Sequence, residues 1–275
     1  MQRLQWGTKT PGHLVFLIDQ STSMNLKNPS DPNSKTRAQK VVEAVQSAIT
    51  DCVNGCISGT NVKNRFFLTI IGYGGEPKPT VTTIKEDWAK NLIPELQAIQ
   101  NTDDTFIPVV AEGWTPMAEA FELAKENLES WLETCQEKVD EGSYIGIPAP
   151  VIINITDGEP CDGTATAKAR AIDSAKELLN LSGTDGNVLL FNLHIADEGV
   201  EISFPSDKAQ LNGCPEGELL FDISSDLPDE MVQLAKEAGI EGVMAGSKCM
   251  SVNSSGDTMT RLISFGSGSG MTKHN

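Results

Sequence analysis

His13-Leu-Val-Phe-Leu-Ile-Asp19 decides how this chain folds. Five consecutive branched or aromatic apolar residues without polar alternation predict a strand buried on both faces, as in a parallel sheet, and the acid marks its carboxyl end. Beyond a polar loop through Lys27-Asn-Pro-Ser-Asp-Pro-Asn-Ser34, the stretch Lys35 to Cys52 places Ala38, Val41, Val42, Val45, Ala48 and Ile49 at helical spacing. Arg65 to Tyr73 predicts a second buried strand, and Thr80 to Ile84 a short exposed one. Helical periodicity resumes from Pro116 to about Val139, with Thr115 placed as an N-cap and proline at the first helical position.

The alternation then repeats. Val151 to Thr156 is a third buried strand running into Asp157-Gly158, followed by a helix over Thr164 to Leu181, and Val188 to Ile195 is a fourth. Glu218 to Ile223 is expected as a fifth strand, and Asp229 to Ala238 and Asp257 to Phe265 as helices. Strands alternating with helices predict an α/β fold: a three-layer, doubly wound, mostly parallel sheet with helices on both faces. The expected division is an extension over 1–12, one domain over 13–265 and a flexible tail over 266–275, with Glu198 to Gly217 as an irregular insertion.

A formal charge of −17 argues against nonspecific nucleic-acid binding, which requires a basic face to displace counterions. Met1 to Gly12 is polar, without the apolar core of a signal peptide, and no run reaches the ~18 apolar residues of a membrane span. The expectation is a soluble, cytoplasmic protein without membrane or direct nucleic-acid contacts. The six cysteines read mostly as buried thiols, and Cys52 and Cys56 lack the second pair that a zinc site needs.

In open parallel sheets ligands bind beyond the carboxyl ends of the strands. There the sequence offers Asp19-Gln20-Ser21-Thr22-Ser23, then Thr115, then Asp157. Two carboxylates and three hydroxyls, with no thiolate or imidazole, form a hard-oxygen set suited to Mg²⁺ or Mn²⁺. Read singly, Asp19 and Ser21 cap a turn and Thr115 caps a helix.

Taken jointly, Asp19-x-Ser21-x-Ser23, Thr115 within Gly-Trp-Thr-Pro and Asp157 within Thr-Asp-Gly-Glu-Pro resemble the metal ion-dependent adhesion site of von Willebrand factor A domains. The likeness spans about Gly12 to Phe265 and includes the Ser-Lys-Cys-Met-Ser-Val-Asn segment before the last helix. The resemblance implies that Asp19, Ser21, Ser23, Thr115 and Asp157 surround the ion and leave one position for a partner's Asp or Glu. It also implies a cytoplasmic adaptor or scaffold in a bacterial signalling, stress-response or defence complex, partnered with a kinase, a phosphatase or an AAA+ ring ATPase. Some such domains are associated with tellurium resistance and phospho-signalling.

Gln20, Thr22, Trp114, Glu159 and Asp162 are the candidate partner-binding rim. Trp114 reads equally as an aromatic anchor or as core, and Glu159 and Asp162 more plainly as solvated loop acids. Asp103, Asp104, Asp185 and Asp197 are taken as surface. Enzymatic activity is not expected. A metal-dependent phosphatase or hydrolase is the catalytic alternative, but Ser21 stands where an Asp-x-Asp pair would need its second acid, and His13, His194 and His274 follow no nucleophile. A secreted adhesion module is the alternative among binding functions.

Overall fold

The computed structural model describes residues 3–237, 240 and 242–268. Its centre is a seven-stranded sheet built from β1 (Gly12–Gln20), β2 (Phe66–Gly74), β3 (Thr80–Trp88), β4 (Val151–Thr156), β5 (Leu189–Ile195), β6 (Ile202–Ser203) and β7 (Met250–Ser254). The order across the sheet is β6-β7-β5-β4-β1-β2-β3. The five inner strands are parallel, and the edge strands β3 and β6 are antiparallel to their neighbours.

The expected three-layer, doubly wound α/β architecture is therefore present. Helices α1 (Arg37–Gly55), α2 (Ile93–Ile99), α6 (Asp229–Glu237) and α7 (Gly256–Gly268) cover one face, where Leu14, Phe16 and Ile18 of β1 point. Helices α3 (Met117–Asp140), α4 (Ala167–Leu179) and α5 (Pro215–Ile223) cover the other, packing on Val15 and Leu17. Alternate residues of one strand thus feed two cores, which is why β1 carries no polar alternation.

The chain leaves β1 through α1 to reach β2 on one side, and later places β4 on the other side of β1. The gap beyond the carboxyl ends of β1 and β4 is consequently the switch point of the sheet, where α/β folds open a crevice.

Several elements depart from the sequence expectations. Glu218–Ile223 is not a strand but the body of α5, which starts with Pro215 and carries Glu216 and Glu218 in its first turn. Leu219, Leu220 and Ile223 are its buried stripe. The fifth parallel strand is instead β7, whose Ser251 and Ser254 hydroxyls pair with each other at 2.5 Å inside the sheet layer. The expected irregular insertion contributes β6 and a short 3₁₀ turn at Lys208–Leu211. α7 runs on to Gly268; Ala238 and the tail beyond Gly268 lie outside the described residues.

The amino-terminal segment is packed rather than appended. Trp6 is buried with its ring 6.0 Å from that of Phe66, and it lies so close over Gly12 that any Cβ there would meet the indole. Asp185 is not a free surface acid either, since its carboxylate accepts the backbone N–H groups of Leu4 and Ala149. Cys52, Cys56, Cys135 and Cys249 are buried thiols, whereas Cys161 is exposed and Cys214 half-buried; none forms a disulfide.

Candidate metal centre

β1 ends by placing Asp19 in the crevice. Its Oδ1 accepts the Ser21 N–H at 2.8 Å, which turns the chain sharply, and its Oδ2 accepts the Thr156 hydroxyl from the end of β4 at 2.6 Å. The turn continues as a 3₁₀ segment, Thr22–Asn25, anchored by the fully buried Met24. Ser21 Oγ and Ser23 Oγ then lie 3.1 Å apart, and the Ser23 hydroxyl donates to Asp157 Oδ1 at 2.7 Å. Four of the five residues expected at the site are thus brought into one contiguous oxygen array.

Thr115 is brought to the same place by backbone pairing. Its N–H and C=O exchange hydrogen bonds with Cys161, four residues beyond Asp157, at 2.7 and 2.9 Å. Just before it, Gly113 accepts the Thr22 N–H and donates to Thr22 Oγ1 at 2.8 Å, while Glu112 N–H donates to the Gln20 carbonyl. The three loops are therefore stitched to one another by main chain. This pairing also explains why Thr115 is not the N-cap expected from sequence: its backbone is held as a bridge, and Pro116 caps α3 without a side-chain bond.

Gly113 is the tightest point of that stitching. It sits at φ +77, and a Cβ there would lie 1.8 Å from the Gly75 carbonyl oxygen. Gly113→Ala is expected to lower unfolding stability by about 2–3 kcal/mol, from left-handed strain and displacement of the loop. It should also weaken Mn²⁺ binding by shifting Thr115. Urea unfolding and a metal titration check both, and unchanged values in both would show that the loop accommodates the methyl group.

The residues named as a rim divide. Thr22 is exposed, and its hydroxyl belongs to the loop stitching. Gln20 lies back over the sheet, its Oε1 filling the space that a Cβ at Gly72 would need. Trp114 is half-buried with its ring edge against Gly163 in the loop after β4. Glu159 is exposed and paired with Lys168 at 2.9 Å. The Asp162 carboxylate is buried, holding Arg170 at 2.8 Å and the Thr164 N–H and hydroxyl, so it shapes the loop.

Two groups at the site were not singled out from sequence. Arg37, at the start of α1, places Nη1 2.8 Å from Asp157 Oδ2 and Nε 2.8 Å from Asp197 Oδ2. Lys40 Nζ meets the other Asp197 oxygen at 2.6 Å. Asp197, expected on the surface, has a nearly inaccessible side chain, and the Lys40 and Arg37 cations hold its carboxyl below the usual carboxylate range against the cost of burial. The signal was present: Asp197 lies two residues beyond the carboxyl end of β5, much as Asp157 lies one residue beyond that of β4.

The electrostatics of this arrangement favour a cation. Burial, then the like charge of Asp157, push the Asp19 carboxyl up to about 7, against the pull of its bonds to Ser21 and Thr156. Two close carboxylates flanked by hydroxyls fit Mg²⁺ or Mn²⁺, which would remove that strain. Among the described residues no group of three or more His, Cys, Asp or Glu side chains is placed to hold a metal, so an ion here must draw on the hydroxyls.

No protein-family model matches the chain. No curated protein matches it. Among solved structures it is similar to the pilus adhesin SpaC of Lactobacillus rhamnosus GG, at 14% identity and TM-score 0.55 over 97% of this chain and 31% of that one. It is also similar to the PilB minor pilin of Streptococcus sanguinis, at 10% identity and TM-score 0.52 over 93% of this chain and 60% of that one. A von Willebrand factor type A protein from Catenulispora acidiphila aligns at 16% identity and TM-score 0.42, over 78% of this chain and 43% of that one. The chain spans 31% to 60% of the lengths of these neighbours, and at such identities the likeness is one of fold.

Proposed function

We propose that this chain is a von Willebrand factor A-type domain whose crevice at β1 and β4 holds one Mg²⁺ or Mn²⁺ ion and uses it to bind a protein partner, without catalysis. The observation that carries this reading is the continuous array Ser21–Ser23–Asp157, with Asp19 buried beside it at the switch point of the sheet. Asp19, Ser21, Ser23, Thr115 and Asp157 would hold the ion. The ion would supply a positive centre for an acidic side chain of the partner, reversing the local sign on a protein of charge −17.

A non-catalytic role is supported by the placement of the imidazoles. Burial presses the His13 pKa down to about 3, and its Nε2 faces Thr69 within the fold. His194 Nδ1 accepts the Asn253 N–H, and burial lowers its pKa as well. His13 Nε2 and His194 Nδ1 are thus committed to partners within the fold. Thiols outside any disulfide, four of them buried, suit the reducing interior of a bacterial cell, and we propose that the chain works there as an adaptor in a signalling, stress-response or defence complex. A kinase, a phosphatase or an AAA+ ATPase is the class of partner we propose. An adhesive module outside the cell is the second reading, favoured by the fold likeness to a pilus adhesin and a minor pilin.

Calorimetric titration with Mn²⁺ should give one site, absent in Asp19→Ala and Asp157→Ala variants that remain folded. Immobilised protein should capture its partner in Mg²⁺ but not in EDTA, and the Asp19→Ala variant should capture none. Equal capture in all three conditions would place recognition elsewhere on the surface, and absence of Mn²⁺ binding would remove the site itself.

A further inference from the structure

α1 begins against a local rule. Its N-cap Thr36 forms a complete capping box with Gln39, yet no acid occupies the first turn, and the first helical residue is Arg37, a cation at the positive end of the helix dipole. Breaches of local preference concentrate where a site requires them. Arg37 is held there by the two buried carboxylates it bridges: its side chain is 16% exposed, those of Asp157 and Asp197 0% and 2%. The planar guanidinium fits this two-sided contact, each nitrogen facing a different carboxylate, as a lysine ammonium would not.

We propose that Arg37 is a tethered cation that sets the charge of the metal centre, weakening its hold on the ion so that the bound ion keeps its attraction for an acidic partner. This inference rests on the metal-site reading above. Ionised, Asp19, Asp157, Asp197, Arg37 and Lys40 together carry one net negative charge, which a dication turns into one net positive charge. Without Arg37 the same cluster would bind a dication to neutrality, holding the ion more tightly and offering less to an incoming carboxylate. Because the groups are shielded from water, the effect of one unit charge is not screened away. Asp197 and Lys40 complete the device: the aspartate fixes the guanidinium through Nε, and the lysine neutralises the aspartate.

Calorimetric titration of the full chain with Mn²⁺ alone tests this. Arg37→Met is expected to bind Mn²⁺ about tenfold more tightly than wild type, and Asp197→Asn, which removes an anion and keeps the guanidinium, about tenfold more weakly. Arg37→Lys, retaining the charge, should stay within about threefold of wild type. Opposite shifts from two substitutions in one cluster are not produced by general damage, and circular dichroism in EDTA checks the fold of each variant. A wild type that does not bind Mn²⁺ would overturn the metal-site reading, and this role with it, even beside an Arg37→Met variant that does. Arg37→Met binding no more tightly than wild type, or Asp197→Asn binding no more weakly, would overturn it while leaving the metal site standing. Binding by neither wild type nor Arg37→Met would overturn the metal site and this role with it.

Discussion

Asp19→Asn should make the metal-free protein more stable at pH 8, by about 2–4 kcal/mol, and should leave it almost unchanged at pH 4. Burial and the neighbouring Asp157 raise the Asp19 carboxyl from its ordinary 3.8 to about 7 in the folded chain. Between those values the folded state keeps a proton that the unfolded state has released. Stability therefore falls as pH rises through this window, and the full cost is present above about 7. Asparagine removes the charge while keeping the contacts: its oxygen can accept the Ser21 N–H, and its amide can donate to Thr156 Oγ1, which is already within 3.3 Å of the Gly158 carbonyl as an alternative acceptor.

His13 titrates in the opposite sense. Held neutral in the fold down to about 3, it withdraws stability as pH falls below its ordinary 6.5. Wild type alone would show the two trends superposed; the difference between wild type and Asp19→Asn isolates Asp19, because His13 is common to both. Urea unfolding in EDTA at several pH values measures that difference. Saturating Mg²⁺ should reverse the order at pH 8, stabilising wild type and not the variant. A difference independent of pH, or a variant less stable than wild type at pH 8 without metal, would mean that the Asp19 charge is already compensated.

The inner strands were legible because burial on both faces leaves a mainly apolar run without strict alternation, as at His13–Asp19, Arg65–Tyr73 and Val188–Ile195. The same rule misled at Glu218–Ile223, where Leu-Leu-Phe suggested a strand. The stronger signal was at its start, with Pro215 and two acids in the first turn of a helix. β7 was hidden for the converse reason: Met-Ser-Val-Asn-Ser buries polar side chains, and Ser251 and Ser254 satisfy each other only because the fold brings them together.

The candidate site was legible to the extent that it follows strand ends. Asp19, Ser21, Ser23 and Asp157 converge as their positions in the sequence imply. Arg37 escaped because its role depends on an approach between residues 160 positions apart, which no local pattern encodes, whereas Asp197 carried a signal in its place just beyond the end of β5. The directions of the Gln20 and Asp162 side chains were not legible for a related reason: which way a loop side chain turns is settled by neighbours such as Gly72 and Arg170.

Asn154 is the position whose loss should cost the fold most among the polar residues inside it. A hydrogen-bonded line crosses the sheet beneath the crevice: Tyr73 Oη donates to Asn154 Oδ1 at 2.8 Å, Asn154 Nδ2 to Asn192 Oδ1 at 2.9 Å, Asn192 Nδ2 to Ser224 Oγ at 2.9 Å, and Ser224 Oγ to the Leu220 carbonyl at 2.6 Å. Every member is buried, and Asn154 and Asn192 are direct register partners of β4 and β5. The line joins strands β2, β4 and β5 to helix α5: Tyr73 donates at its end, and Asn154, Asn192 and Ser224 each donate and accept within the buried interior.

Asn154→Leu is close in volume, yet it strips Tyr73 of its acceptor and Asn192 Oδ1 of its donor. Leaving two buried polar groups unsatisfied should lower stability by about 3–5 kcal/mol. Tyr73→Phe removes only the end of the line and should cost about 1–2 kcal/mol. The double variant should then be less damaging than the sum, because Asn154→Leu no longer orphans a hydroxyl that is absent. Urea unfolding of the four proteins measures the coupling. Strictly additive losses would mean that Tyr73 and Asn154 act independently and that the line is only a row of neighbours.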